Sequence, residues 1–145
     1  MKKVLFIAGL LTGFAAIAAP EPTEKILKAF KATFTNANEI TWHDYSDYTQ
    51  ANFKQDEIQV RAQYSEDGTL LKTIRYYGEQ NLLPNILAKV KKRYAGKEIF
   101  GVTETIDDTE ASFVINLKDE DNWYVVKSDI FGNLQQTDKF KRADK

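Results

Sequence analysis

The sequence predicts an α+β fold in which two tandem helix-plus-antiparallel-strand repeats form one curved antiparallel sheet with the helices on one face. Residues 26–77 and 86–140 read as two copies of one pattern, in which apolar residues at helical spacing are followed by alternating strands and a glycine turn. Two copies are too few for a solenoid, so we expect one pseudo-symmetric domain. The matched helix positions lie 59 or 60 residues apart: Leu27, Phe30 and Phe34, then Ile86, Val90 and Tyr94.

The first residues have the pattern of a secretory signal. Lys2 and Lys3 precede an apolar run from Val4 to Phe14, and the small-residue pattern that signal peptidase reads ends at Ala18. The run is shorter than the roughly 20 residues of a bilayer span, and no later segment approaches that length. We therefore expect a signal peptide at residues 1–18, cleavage near Ala18, and a periplasmic or secreted protein comprising one domain at 19–145.

Two amphipathic helices are predicted. Ile26, Leu27, Phe30 and Phe34 share one helical face, and Thr23 is placed to cap a helix running from about 24 to 35. A second helix is expected from about 84 to 95, because Pro84 suits a first helical position and Gly96 suits a left-handed cap. The repeats that these helices open span about 23–78 and 83–142.

The segments after each helix alternate with a period of two. Ile58, Val60, Ala62 and Tyr64 alternate with polar residues, and so do the apolar positions of 111–117. Asp67-Gly68 is a strong tight-turn signal, while 54–57 and 118–122 suit short hairpin loops. The pattern indicates antiparallel sheet that is buried on one face.

The charge balance does not favour a nucleic-acid partner. Without Lys2 and Lys3, 18 basic side chains face 21 acidic ones. A basic cluster does occur in the second helix, and it could serve as a nucleic-acid or anionic-lipid patch. Because these residues lie largely away from the apolar stripe of that helix, we interpret them as a solvated helix face: Lys89, Lys91, Lys92, Arg93 and Lys97.

Several short blocks resemble the PepSY-like family of exported bacterial proteins, which are similar in fold to beta-lactamase inhibitory protein. The blocks are Ala37–Trp42 (ANEITW), Tyr48–Phe53 (YTQANF), Tyr64–Leu71 (YSEDGTLL) and Leu83-Pro84 before the second helix. The resemblance covers nearly the whole chain after the signal. It implies helices on one side of a continuous curved sheet whose other side is open, and it supplies no catalytic motif.

The sequence lacks the residues of an enzyme active site. A nucleophilic triad needs a base beside a serine, threonine or cysteine, yet His43 is the single histidine and there is no cysteine. We interpret His43 as a strand residue, and we expect no enzyme activity, no cofactor and no metal. The acidic runs 107–110 and 119–121 could offer oxygen ligands to calcium, but they lack the spacing of a calcium-binding loop and read better as solvated turns.

The open sheet face is the predicted functional surface. Strict alternation from an inward Val60 sends aromatic and arginine side chains outward. Such residues dominate protein-binding hot spots, although they also pair across strands in sheets that bind nothing. The predicted partner-binding residues are Tyr48, Arg61, Arg75, Tyr77 and Trp123.

Two functions are compatible with this surface. The first is a non-enzymatic exported protein that binds another exported protein or a peptide. An inhibitory role would rest on analogy with the fold alone. The alternative is a small-ligand or glycan carrier, in which Trp123, Tyr48 and Tyr77 would stack on an apolar ring. The sequence names neither the partner nor the oligomeric state.

Overall fold

A computed structural model describes residues 21–143, so the predicted signal peptide lies outside the described residues. Two α-helices, α1 (Glu24–Thr33) and α2 (Pro84–Arg93), and a short 3-10 helix (Glu79–Asn81) accompany the strands. The eight strands are β1 (Asn38–Asp44), β2 (Thr49–Gln55), β3 (Ile58–Tyr64), β4 (Leu70–Tyr77), β5 (Glu98–Asp107), β6 (Ala111–Lys118), β7 (Asn122–Asp129) and β8 (Leu134–Lys141). They form one antiparallel sheet in the order β1 to β8.

The predicted fold class, two helix-plus-antiparallel-strand repeats with helices on one face, is wrong. Eight strands make up most of the described chain, and β4 pairs with β5 from Lys72 against Asp107 to Tyr77 against Val102, so the strands do not divide into two helix-plus-strand units. Each α-helix has only ten residues. The protein is therefore mostly one eight-stranded antiparallel meander, to which two short helices are added.

Both helices form where the sequence places them. The Thr23 hydroxyl accepts a hydrogen bond from the Ile26 amide at 3.3 Å, which caps the start of α1. Pro84 occupies the first turn of α2, and Gly96 beyond its end has a φ of 79°. The helices end two residues earlier than predicted, because the backbone leaves helical geometry at Phe34 and Tyr94, whose ψ angles are 73° and 43°.

One hydrophobic cluster joins the helices to the sheet. Ile26 and Phe30 of α1 and Ile86 and Val90 of α2 are buried in it, together with alternate residues of the inner strands. The Phe30 ring packs edge-on against Phe53 with 5.0 Å between ring centroids. We call the side of the sheet that carries these residues the core face, and the opposite side the open face. The strand residues of the core face include Ala51, Phe53, Ile58, Val60, Ala62, Tyr64, Val102, Phe113, Ile115, Leu117, Tyr124 and Val126.

A β-bulge between β3 and β4 changes which residues of β4 face the core. Gln63 pairs with Lys72, but the next residue, Tyr64, pairs with Leu70, so Leu71 is an extra residue. The odd-numbered residues of β4 consequently share the core face with Val60, which lies opposite Arg75. A second bulge interrupts the pairing of β5 with β6 between Ile99 and Gly101.

Candidate binding face of the sheet

The five predicted partner-binding residues do not share one surface. Arg61 is exposed on the open face, and Trp123 is half-buried on the same face. Tyr48 precedes β2 and its ring stacks on Tyr45 with 4.7 Å between centroids. Arg75 and Tyr77 lie on the core face, which corrects their expected outward orientation.

Arg75 and Tyr77 hold a buried carboxylate. Glu104 of β5 is 7% exposed and accepts hydrogen bonds from the Tyr77 hydroxyl and from the Arg75 guanidinium, the latter at 3.2 Å. Burial and the Glu104 carboxylate raise the pKa of Tyr77. A buried carboxylate with two donors is a satisfied polar network, so this trio has a structural role in the interior.

Three aromatic rings form a cluster at one end of the open face. Trp123 of β7 pairs with Phe140 of β8, and the Phe100 ring packs edge-on against Trp123 with 4.8 Å between centroids. Phe100 is the extra residue of the β5 bulge. Phe100 and Phe140 are 59% and 55% exposed. We call Phe100, Trp123 and Phe140 the aromatic cluster.

Cationic side chains flank the aromatic cluster. Lys118 Nζ lies 4.9 Å from the centre of the Phe100 ring, and the Arg142 guanidinium lies 5.8 Å from that of Trp123. Both distances are within the range of cation–π attraction. Lys118 also forms an ion pair with Glu98 at 3.2 Å. The cluster therefore combines exposed apolar area with a border of basic side chains, of which Lys118 is ion-paired.

The remainder of the open face near β2 and β3 is polar. The Gln63 amide donates to Gln50 at 3.0 Å, and the Gln50 amide donates to Asn52 at 2.8 Å. The Arg61 guanidinium lies 5.3 Å from the centre of the Tyr76 ring. These groups give a hydrogen-bonding area beside the single exposed arginine of β3.

The geometry is that of an extended surface and not of a ring-binding pocket. Arg61 and Trp123 are separated by four strand spacings, about 19 Å, and β2 lies about 24 Å from β7. Tyr77 is buried on the other face. Trp123, Tyr48 and Tyr77 therefore cannot stack on one small ligand, so the three-ring site expected for a small-ligand carrier does not form.

The acidic runs at 107–110 and 119–121 stabilise the turns between strands. Asp107 accepts hydrogen bonds from the amides of Thr109 and Glu110, and Asp119 accepts from the Tyr124 hydroxyl at 2.6 Å and from Lys97 at 3.1 Å. The Tyr124 hydroxyl is the main reason that the pKa of Asp119 lies below its ordinary value. Within residues 21–143, no group of three or more acidic, histidine or cysteine side chains is placed to hold a metal ion.

Sequence reasoning missed most of the aromatic cluster. It identified Trp123 but not Phe100 or Phe140. Strict alternation could not have placed Phe140 beside Trp123, because Thr137 is an extra residue of β8 that shifts the register between Val125 and Val126. Phe100 could not be assigned to a face in this way, since it lies in a bulge.

Comparison with known proteins shows the fold. No family model and no curated protein matches the sequence. A BLIP-like protein from Bacteroides fragilis has 19% identity and a TM-score of 0.68, covering 88% of this chain and 92% of its own. A DUF2874 family protein from Bacteroides ovatus has 19% identity and a TM-score of 0.65, covering 87% and 92%. A provisionally periplasmic protein from Bacteroides eggerthii has 12% identity and a TM-score of 0.63, covering 84% and 90%.

The chain thus has a BLIP-like fold, which is the fold that the resemblance to the PepSY-like family implied. Membership of the PepSY-like family stays a prediction. Within residues 21–143, neither helix has the length and apolar composition that a membrane crossing requires.

Proposed function

We propose that the protein is an exported, non-enzymatic binding protein that engages a protein or peptide through its open face. The observation that carries this proposal is the aromatic cluster of Phe100, Trp123 and Phe140 with Lys118 and Arg142 at its border. Trp and Arg are among the residues that dominate hot spots in protein–protein interfaces, and Phe is enriched in interface cores.

The cluster is suited to a macromolecular partner because it is exposed and only partly supported. A ring that is more than half exposed loses apolar contact with water when a partner covers it, and this burial is favourable by about 25 cal/mol per Å². The polar area around Arg61 and Gln63 would lie at the rim of the same contact. An apolar centre with a polar rim is the usual anatomy of a protein interface.

The proposed export rests on the N-terminal pattern, in which Lys2 and Lys3 precede an apolar run and a small-residue site at Ala18. The provisionally periplasmic neighbour is consistent with it. The proposed partner is therefore another exported protein or a peptide in the same compartment.

A capture experiment followed by footprinting tests the proposal. The protein comprising residues 19–145 is used to capture proteins from the exported fraction of its source cells, and the captured complex is mapped by hydrogen exchange. We expect protection of β5 to β8. The Phe100→Ala, Trp123→Ala double variant should bind about 30-fold less tightly, as expected for hot-spot residues.

Phe131→Ala is a matched control, because Phe131 is 72% exposed but lies in the turn between β7 and β8, away from the aromatic cluster. It should retain the affinity of the parent protein. Equal loss of affinity in the control, or protection confined to the helices, would contradict a partner site on the open face.

A further inference from the structure

The turn between β7 and β8 presents two apolar side chains to solvent. Ile130 is 47% exposed and Phe131 is 72% exposed, the largest exposure among the large hydrophobic residues of the described chain. The turn between β3 and β4 has Glu66 and Asp67 in its corresponding part, so a tight turn here does not itself require apolar residues. The exposed apolar tip needs a separate explanation.

Much of the backbone of this turn is hydrogen-bonded within the protein. The Asp129 carboxylate accepts hydrogen bonds from the amides of Phe131 and Asn133, both at 2.9 Å, and the Asp129 carbonyl accepts from Gly132 at 3.1 Å. The Ile130 and Phe131 carbonyls accept from side chains of α2. A turn with these groups paired can leave water at much lower cost than one that relies on solvent.

Helix α2 supplies the remaining partners along one stripe. Asn85 donates to the Ile130 carbonyl at 2.9 Å, Lys89 to the Phe131 carbonyl at 2.7 Å, and Arg93 to the Leu134 carbonyl at 2.6 Å. These residues are four apart, so they lie on the same side of the helix. The apolar tip and the cationic helix therefore form one continuous surface.

The charge of this surface is positive although the whole chain is slightly acidic. Helix α2 carries Lys89, Lys91, Lys92 and Arg93, all exposed, and it has no acidic residue. The nearby carboxylates are Glu79, which pairs with Lys91 at 3.1 Å, and Asp129, which holds the turn. Lys91, two positions from Lys89, lies on the far side of the helix with Glu79, so Lys89, Lys92 and Arg93 against Asp129 leave a net positive surface beside Ile130 and Phe131.

We propose that the β7–β8 turn and α2 form a peripheral contact surface for an anionic phospholipid bilayer. Phe131 and Ile130 would enter the boundary between headgroups and acyl chains, while the α2 cations contact the phosphates. The internally paired turn backbone favours a bilayer over an acidic protein, because lipid offers no partner for free amides and carbonyls. The basic cluster, interpreted from sequence as a solvated face, acquires this role through the adjacent apolar tip.

This proposal does not rest on the partner site of the open face. Trp123 and Asp129 stand six residues apart along β7, about 20 Å, so the aromatic cluster and the turn lie at opposite ends of the strand. Either surface can be altered without touching the other, and failure of one proposal leaves the other intact.

Vesicle sedimentation tests the proposal with the protein comprising residues 19–145. Vesicles of phosphatidylcholine with about one third phosphatidylglycerol should bind the protein, and binding should weaken with salt and on phosphatidylcholine alone. Phe131→Ser should reduce partition about tenfold or more, since it removes a buried ring from the interface. Lys92→Gln should reduce it about fivefold.

Matched control variants distinguish binding through this site from non-specific vesicle binding. Ile130→Ser should weaken binding, whereas Ile40→Ser, at a similarly exposed isoleucine of β1, should not. Lys28→Gln in α1 is the corresponding control for Lys92→Gln. The proposal is overturned by no preference for phosphatidylglycerol, by equal effects of the paired variants, or by capture of a soluble acidic protein through Phe131 with no vesicle binding.

Discussion

The hydroxyl of Tyr77 donates a hydrogen bond to the carboxylate of Glu104 in the interior of the protein. Tyr77→Phe would leave this 7%-exposed carboxylate with Arg75 as its remaining donor. We expect the variant to lose about 1–3 kcal/mol of unfolding free energy, measured by urea denaturation, because hydrogen bonds to buried charged groups are among the strong ones.

Tyr76→Phe is the control for that change. Tyr76 is the neighbouring residue of β4 but lies on the open face, where its ring contacts Arg61. The ring contact survives the substitution, so stability should stay within about 0.5 kcal/mol of the parent. Equal losses in both variants would show that the Tyr77–Glu104 bond has no special weight.

Tyr64→Phe should not lower the free energy of unfolding, in contrast to Tyr77→Phe. The Tyr64 side chain is fully buried and, among the described residues, its hydroxyl has no hydrogen-bond partner. Removing an unpaired buried hydroxyl relieves a desolvation cost, so the variant should be at least as stable as the parent at pH 7. A loss above about 1 kcal/mol would contradict this account, and urea denaturation measures it.

The raised pKa of Tyr64 predicts a loss of stability at alkaline pH. Burial raises the pKa of Tyr64 from 10.0 to about 12, so its contribution is complete below pH 10 and is lost as pH rises toward 12. Between these values the unfolded chain ionises first, and stability should fall by about 1.4 kcal/mol per pH unit from this group. Tyr64→Phe should flatten the decline, whereas parallel curves for parent and variant would refute the assignment.

Asp67 predicts part of the acid transition. The Ser65 hydroxyl and the Thr69 amide hold the pKa of Asp67 at about 2, below the ordinary 3.8. A lowered pKa means that the contribution is present above pH 3.8 and is lost as pH falls toward 2. Asp67→Asn should therefore differ from the parent less at pH 2 than at pH 5 in thermal denaturation, and an equal difference at the two pH values would contradict this assignment.

Substitution of three glycines by alanine should lower stability by amounts that follow a fixed order. Gly68 has a φ of 89°, and an added Cβ would lie 2.9 Å from the Lys25 carbonyl oxygen, so both strain and a backbone clash arise. Gly96 has a φ of 79° with open space around it, so Gly96→Ala should lower stability by about 1–2 kcal/mol through backbone strain alone. Gly101 has neither constraint. Chemical denaturation should rank the losses Gly68, Gly96, Gly101, and a larger loss at Gly101 than at Gly96 would break the argument.

Local signals predicted the helices and most strand faces well. Thr23, Pro84 and the apolar spacing fixed the starts of α1 and α2, because capping and periodicity depend on neighbouring residues alone. Alternation identified the buried side of β3 for the same reason. The fold class was wrong because the repeat pattern gave the helices too much weight: each α-helix has ten residues, beside one sheet of eight strands.

The site was less predictable than the fold elements. The extra residue Leu71 reverses the alternation of β4, which moves Arg75 and Tyr77 from the expected open face to the core face. Register shifts of this kind depend on how two strands fit together, and they leave no clear mark in the spacing of apolar residues. Phe100 was missed through the same effect in β5.

The strand order β1 to β8 has a consequence for how the chain acquires its structure. Each strand pairs with the strand just before or after it in the chain, so β pairing requires few long loop closures. Topologies of low contact order fold quickly for their size. A chain that emerges N-terminus first from a ribosome can pair β1 with β2 and then β2 with β3 before its later strands have been synthesised, adding hairpins in the order of synthesis.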